Sequence, residues 1–383
     1  MSISTGDKPV SAPDERRAWA EINLTALADN YSYLCSQMPD GCELMAVVKS
    51  DAYGHGVGPV AARLQEEGAG SFAVATVGEG VGLRKYGIDG EIIVLGYTDP
   101  KDAALLGDYR LTQLIFDGAH ASALDKTGIP IHAHIAIDTG MHREGIVMSN
   151  ISEIESVFNC KNLTVEGMGT HLSSADSIDA DEIDFCNTQI DRFYETVETL
   201  RGNGYDTGKL HIQASYGLLR YPELRCDYIR AGILLYGVMS YGDNAELGDA
   251  LTPVLSLRAV IAQVRWIDAG ESVSYGRTFT ADKPMKLATI CIGYADGVPR
   301  QMSGNSAECI IRGRRAPIVG RVCMDLLMAD VTDIDTASQG DVATLIGSDG
   351  GVTIRCEDFA KASGTITNEV LCRMGSRLPR IYK

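Results

Sequence analysis

A lysine closing an apolar run is the first residue that could do chemistry. In AVVKSDAYGHG (46–56), Lys49 ends a strand-like stretch and precedes a glycine-punctuated turn carrying Tyr53 and His55. At the end of a buried strand an ammonium loses part of its hydration, its pKa falls, and the neutral amine can form a Schiff base with a carbonyl compound. A lysine capping a strand end in solvent is the alternative, and Tyr53 and His55 taken singly read as loop residues. In IDTGMHREG (137–145), Arg143 has the planar fork that holds a carboxylate through two parallel hydrogen bonds; a solvated surface arginine is the competing reading. His132 and His134 form an H-x-H on one strand face, a metal-pair spacing. No other strand supplies the remaining ligands in a convincing pattern, so ordinary histidines fit better than a metal pair. GTHLSSAD (169–176) brings His171 and Asp176, QASYG (213–217) brings Ser215, and RAGILLYG (230–237) brings Arg230 with the amides of Gly232 and Ile233. Downstream, SVSYGRTF (272–279) presents Tyr275 in a glycine turn, followed by IGYADGVPR (292–300) and GRVCMD (320–325).

The first three groups need a scaffold that gathers strand ends. Eight short apolar runs recur at 44–48, 72–76, 92–96, 111–116, 131–137, 165–171, 210–215 and 228–237. Most gaps carry helical patterning, clearest at 25–38 and 184–204. Strand–helix alternation of this kind predicts an α/β fold, a (β/α)8 TIM barrel over 18–250, with Lys49, Arg143, His171, Ser215 and Arg230 at the C-terminal strand ends where barrel sites are built. Ser215 and the amides of Gly232 and Ile233 then fall in the loops after the seventh and eighth strands, a common phosphate position. A doubly wound sheet competes, but no G-x-G-x-x-G follows the first strand. From Leu251 the texture changes to alternating, antiparallel-type strands (254–267, 286–294, 308–313, 317–324, 341–347), predicting a C-terminal mostly-β domain over 251–383. Residues 1–17 are polar and read as a tail or linker.

Bulk properties bound the partners. A net charge of −17 disfavours nucleic acid and anionic lipid, which points to a small molecule. Ten scattered cysteines without a C-x-x-C pair read as reduced residues of a cytoplasmic protein. No uncharged apolar run approaches the roughly 18 residues of a membrane helix, and there is no signal-peptide core.

Taken together and in this order, VVKSDAYGHG, DTGMHREG, THLSSAD, RAGI, VSYG, GYADG and GRVCMD closely resemble the alanine racemase family of fold-type III pyridoxal-5'-phosphate (PLP) enzymes, from about Trp19 onward. The resemblance implies that Lys49 holds PLP and is the base on the D-amino-acid face, and that Tyr275 is the base for the L-isomer. It implies a homodimer with shared sites, Tyr275 and Met324 reaching across from the partner subunit. Arg143 would hold the substrate carboxylate, and Arg230 would donate to the pyridine nitrogen. His171 would pack on the ring and connect Tyr275 to Arg230. Tyr53, Ser215, Gly232 and Ile233 would bind the phosphate, while Asp176, Tyr294, Arg300 and Asp325 would line the entrance or rim. A phenol needs nearby cations to act as a base near neutrality, and Arg143 and His171 are candidates.

Two departures from the family pattern stand out. Many members carry a lysine two residues before the Asp of DTGM, where this chain has Ala136. Near the C-terminus, TITNEVLCRM has Asn368 where the family usually has a tyrosine. That second change opens a wall beside the substrate and resembles the serine/alanine racemase domains of vancomycin resistance, which are fused behind a membrane segment. The expectation is an amino-acid racemase for serine, alanine or both, feeding peptidoglycan precursors, with an N-terminal membrane segment that could tether the full-length protein. A housekeeping alanine racemase, a fold-type III decarboxylase, a non-catalytic PLP-binding barrel and a metal hydrolase built on His132 and His134 are the alternatives. A decarboxylase wants a carboxylate at the ring nitrogen rather than Arg230.

Overall fold

The computed structural model describes residues 17–240, 250–304 and 307–383. The chain divides into two compact units. The first strand, β1 (Ala18–Ile22), belongs to the β-rich unit, and the barrel unit runs over Asn23–Val254 with Ile366–Cys372 and Tyr382–Lys383.

The barrel strands are β2 (Glu43–Val47), β3 (Ser71–Val74), β4 (Glu91–Val94), β5 (Thr112–Ile115), β6 (Ile131–Asp138), β8 (Leu163–Gly169), β9 (Lys209–His211) and β10 (Tyr228–Ala231), with a short β7 (Ile146–Val147) attached to β6. They are parallel in the order β10-β2-β3-β4-β5-β6-β8-β9, and a parallel bridge between Ala214 and Arg230 nearly closes the ring. Strands covered on both faces need no polar alternation, which is why β3, β5 and β10 are buried at every residue. Some of the helices of this unit start at side-chain caps. Asn23 accepts from the amide of Ala26, and Thr76 with Glu79 forms a reciprocal capping box.

Interior space near the middle of the barrel is taken by two histidines. His134 on β6 and His211 on β9 stack with ring centroids 5.1 Å apart, and their Nδ1 and Nε2 atoms lie 2.9 Å apart. The neighbouring strand β8 makes room by carrying glycine opposite each ring. A Cβ on Gly167 would sit 2.5 Å from the His134 ring, and one on Gly169 would sit 2.1 Å from the His211 ring. Glycine in a strand interior marks such close approaches.

The β-rich unit is organised on β11 (Leu255–Ile267), whose inward and outward residues alternate at its start. The strand pairs antiparallel with β1, matching Ala18 to Ala259 and Ile22 to Leu255, with the strand Val342–Asp349 over Leu257–Val260, and further along with the strand Met285–Ile290. Val273, Ala281, Met285, Leu287 and Val319 form one buried cluster of this unit. Asp296 is fully buried and takes Arg17 through two oxygens, the amide of Gly293 at 3.0 Å, and Arg377 at 3.6 Å. That arrangement fixes the GYADG turn.

Three local expectations differ from the structure. Residues 18–22, expected in the barrel, pair in the β-rich unit because β11 offers them a complete antiparallel ladder. Residues 366–372, expected in the β domain, group with the barrel, where Thr367 Oγ1 donates to the carbonyl of Met239 at 2.9 Å. The run 228–237 is not one strand: it leaves the sheet at Gly232 (φ −123°, ψ −88°) and continues as a 3-10 turn, Ile233–Tyr236, ended by Gly237 at φ 68°. No helix among the described residues is long and apolar enough to cross a membrane.

The buried histidines make stability depend on pH. Burial lowers the pKa of His134 to about 4 and holds that of His211 well below the usual imidazole value. Both are neutral in the folded chain, while the unfolded chain protonates them near pH 6.5. The unfolded state therefore binds more protons between pH 6.5 and about 4, and stability falls as pH is lowered through that window. Unfolding in denaturant at pH 7 and pH 5 should show the loss, and His134→Gln should reduce it by about 2 kcal/mol. An identical pH dependence in His134→Gln would show that His134 is not titrating this way.

Candidate active site

The strand ends of the barrel open into a cavity of about 590 Å³. Lys49, Tyr53, Arg143, His171, Asp176, Ser215, Arg230, Gly232, Ile233 and Asn368 all line it, as does Ala136. Sequence reasoning thus placed ten candidate residues on one surface. Tyr275, Tyr294, Arg300, Met324 and Asp325 lie on the β-rich unit.

Lys49 leaves β2 into one turn of left-handed helix. Ser50, Asp51, Ala52 and Tyr53 have φ of 55°, 55°, 53° and 51°. Side chains with a Cβ disfavour this region by roughly 1–2 kcal/mol per residue, so the turn must be held from outside. Glu79 Oε1 accepts from the amide of Ser50 at 2.7 Å, and Asp51 Oδ1 accepts from the amide of Val57 at 2.8 Å. His55 Nδ1 donates to the carbonyls of Ala52 (2.9 Å) and Tyr53 (3.0 Å), while its ring stacks on Tyr236 at 4.4 Å. Strain of this kind concentrates at functional sites. Its effect is to face Lys49 and Tyr53 into the same cavity. Burial, followed by the positive charge of Arg143, lowers the pKa of Lys49 below the ordinary lysine value.

At another wall, the amide of Gly232 donates to Ser215 Oγ at 3.0 Å. A Cβ on Gly232 would lie 2.7 Å from the Tyr53 hydroxyl. Only glycine lets the backbone approach Tyr53 and Ser215 so closely. Burial raises the Tyr53 pKa well above its usual value, so the phenol stays a neutral donor. Two hydroxyls and the Gly232–Ile233 backbone, all lining the cavity, make a cradle suited to a phosphate.

Arg230 projects from β10 and is buried. Its guanidinium donates to the carbonyls of Thr170 (2.6 Å) and His211 (2.8 Å), to His211 Nδ1, and to His171 Nδ1 at 3.2 Å. No ion pair joins it to a carboxylate among the described residues, and burial pushes its pKa down to about 10. An arginine cannot accept, so both imidazole Nδ1 atoms must, and both rings carry their proton on Nε2. Burial and then Arg230 lower the His171 pKa to about 3, which keeps that ring neutral.

Asp138 shapes the loop that carries Arg143. Its Oδ1 accepts from the amides of Gly140 and His142, each at 3.0 Å, and its Oδ2 lies 2.8 Å from His142 Nδ1. The Arg143 side chain is 53% exposed and reaches Glu144 at 3.5 Å. Ala136 contributes no orienting group, so the guanidinium is only loosely held. Asn368 Oδ1 accepts from Ser240 Oγ at 2.9 Å.

On the β-rich unit, Tyr275 is 69% exposed, and Met324 and Tyr294 are also exposed. The loops carrying them interlock. Ser274 Oγ donates to the carbonyl of Arg321 at 2.7 Å, and the amides of Tyr294 and Ala295 donate to Cys323 and Met324 carbonyls at 3.0 Å. A Cβ on Gly293 would lie 2.3 Å from the Cys323 oxygen. Asp325 pairs with Arg377 at 2.7 Å, while Arg300 and Tyr294 line a separate hollow with Arg373.

Sequence reasoning missed His211 and Ser240. The spacing of the two glycines in VEGMGTH was the available signal for large rings beside β8; nothing local marked Ser240. His132, the other half of the H-x-H, pairs with Glu166 at 2.8 Å on the outside, while His134 points inward. Positions two apart on a regular strand share a face, but a register shift between Ala133 and His134 interrupts the pairing between these two histidines, which part to opposite sides.

The donor set fits PLP: a lysine of lowered pKa, a phosphate-sized cradle that a Cβ would fill, and a buried obligate donor, all on one cavity. Comparison with known proteins agrees. The family model for the alanine racemase N-terminal domain matches residues 22–240, and that for the C-terminal domain matches 254–382. An amino-acid racemase of Enterococcus faecalis is 43% identical over 95% of this chain, but the chain spans only 51% of that relative's length. An alanine racemase of Geobacter sulfurreducens is 39% identical, covering 96% of this chain and 98% of the relative. Among solved structures, alanine racemase from Bacillus anthracis with bound L-Ala-P aligns with a TM-score of 0.90 at 32% identity, over 97% of this chain and 96% of that one. Alanine racemase from Bartonella henselae with covalently bound pyridoxal phosphate aligns with a TM-score of 0.85 at 29% identity, over 96% and 99%. Matched in both domains and along nearly its whole length, the chain belongs to the alanine racemase family, whose members are PLP-dependent amino-acid racemases.

Proposed function

We propose that this chain interconverts the L- and D-forms of serine and alanine, with Lys49 and Tyr275 exchanging the Cα proton on opposite faces. The cavity that joins Lys49, Arg143 and Arg230 with the Ser240–Asn368 pair carries this reading. Lys49 would hold PLP, with Tyr53, Ser215, Gly232 and Ile233 at its phosphate. When bound, PLP supplies an electron sink that acidifies the substrate α-proton.

The residues then divide the work. Arg143 would take the substrate carboxylate through its fork, with the loose tether to Glu144 leaving it free to adjust. Lys49, its pKa lowered by burial, would accept the proton on one face. Arg230 is a permanent donor with no proton to give up at neutral pH, so a ring nitrogen facing it would accept a hydrogen bond without being protonated. His171, neutral with its proton on Nε2, offers a donor toward an approaching phenolate. Inversion needs a second acid–base group on the far face, and Tyr275 is assigned to it. We place that tyrosine in the site of a second copy, as the family resemblance implies. The exposed cluster of Tyr275, Tyr294, Met324 and Leu326 on interlocked loops suits a surface that is covered in a homodimer. Asp176 would border the cavity, with Tyr294, Arg300 and Asp325 around the approach to it.

Serine rests on Asn368. Burying a hydroxyl without a partner costs about 1–3 kcal/mol on mutational scales, enough to exclude serine from an apolar wall. Here the Asn368 amide N–H groups and the Ser240 oxygen offer a donor and an acceptor side by side. The relative named amino-acid racemase is consistent with a substrate wider than alanine. The second reading, a housekeeping alanine racemase, is favoured by the full-length relatives of that name. A part in vancomycin resistance would follow only from serine racemisation. The expected membrane segment forms no part of the proposal.

Three outcomes follow from this assignment. Purified protein should be yellow, with a visible band bleached by borohydride, and Lys49→Ala should lose both the band and racemisation; full activity in that variant would exclude Lys49. Tyr275→Phe should lower the rate from the L-isomer by about 10²–10⁴-fold while leaving cofactor binding intact. Mixed and re-associated with Lys49→Ala, it should regain part of the activity through heterodimers with one intact site, whereas a fully active monomer by light scattering would refute the shared site. Finally, Asn368→Tyr should depress serine racemisation far more than alanine racemisation; an unchanged serine-to-alanine ratio of kcat/KM would remove Asn368 from specificity.

A further inference from the structure

Behind Arg230 the barrel interior holds a polar line whose other members the proposed chemistry does not use. It starts at Arg230, passes His211 and His134, and ends at Glu91 near the start of β4. Arg230 can only donate, so His211 Nδ1 accepts and His211 carries its proton on Nε2. That proton faces His134 Nδ1 at 2.9 Å. His134 must then accept on Nδ1 and carry its own proton on Nε2, which lies 3.6 Å from Glu91 Oε1. Every choice along the line is dictated by the one before it.

We propose that Glu91 and His134 are positioning residues that act through His211 on Arg230, fixing the tautomer that holds both terminal nitrogens of Arg230 and leaves its Nε–H for the cavity. The buried guanidinium has no carboxylate partner among the described residues, and Glu91, reached through two neutral rings, is the negative end of the line. Glu91 is itself anchored: Tyr228 donates its hydroxyl to Oε2 at 2.6 Å, Lys209 donates to that hydroxyl, and Thr112 Oγ1 donates to Oε1 at 3.5 Å. The space for the rings comes from Gly167 and Gly169, where any side chain would collide with them. Two strand glycines opposite two stacked imidazoles mark a built feature rather than a packing accident. With His211 in the other tautomer, an N–H would face the guanidinium, and Arg230 would have to shift away. The inference rests on the reading of Arg230 as a donor into the cavity.

The test is a 15N spectrum of the holoenzyme labelled at its seven histidines, with the His211 signal identified by its loss in His211→Asn. At pH 7, His211 should be in the Nε2–H form. His134→Leu should raise the Nδ1–H fraction of His211 severalfold and lower kcat roughly tenfold with KM little changed. His134→Gln, which can accept and donate at the same positions, should restore both. Glu91→Gln, which keeps the acceptor but removes the charge, should lower kcat in the same direction without moving KM. An Nδ1-protonated His211 in the unmodified protein overturns the proposal even if His134→Leu does not fold. So does a wild-type tautomer ratio, or a wild-type kcat, in folded His134→Leu. If the unmodified holoenzyme does not racemise amino acids at all, the functional reading fails, while the tautomer measurement still decides the hydrogen-bond line.

Discussion

A cation buried without a counterion sets the constraint on which the barrel's interior depends. Removing a guanidinium from water is expensive unless every N–H finds an acceptor. The four N–H groups on the terminal nitrogens of Arg230 find them in the carbonyls of Thr170, His211 and Ile212 and in two imidazoles, which leaves Nε–H for the cavity. The rings can accept only while neutral, and burial with the nearby positive charge keeps them so. The glycines of β8, the stacked pair on β6 and β9, and the bridge between Ala214 and Arg230 that nearly closes the ring are arranged around that one group.

The same economy of acceptors explains the chemistry assigned to the cavity. A neighbour that cannot release its proton and rings that cannot gain one leave few groups able to exchange protons near neutrality. Lys49, softened by burial, is one inside the barrel; a phenol brought in from outside would be the other. Holding Lys49 and Tyr53 together needs four left-handed residues in a row, a strain offset by Glu79, Asp51 and His55.

Much of this was legible in the sequence, for physical reasons. Parallel strands buried on both faces read as short apolar runs, so the barrel's strands could be placed from 44–48 onward to 228. Residues at their C-terminal ends share one face, so Lys49, Arg143, His171, Ser215 and Arg230 could be grouped before any coordinates. Contacts between distant strands were not legible. His134 and His211 lie 77 positions apart and meet across the barrel sheet, while Ser240 and Asn368 lie 128 apart and meet where the Thr367–Cys372 helix docks beside Met239. The left-handed turn hid because non-glycine residues give no local signal for positive φ. The unit boundaries hid because β1 and the 366–372 helix each join the unit that is remote in sequence, through hydrogen bonds that composition does not reveal.

The central claim, that a lysine and a tyrosine exchange the Cα proton from opposite faces, is tested most directly by racemisation of L-serine and L-alanine in D2O. Early in the reaction, the D-product should carry deuterium at Cα while recovered L-substrate stays largely protiated, for both amino acids. Product that keeps the original proton would mean that a single base abstracts and returns it, and would contradict the account; no turnover of either substrate would contradict it outright.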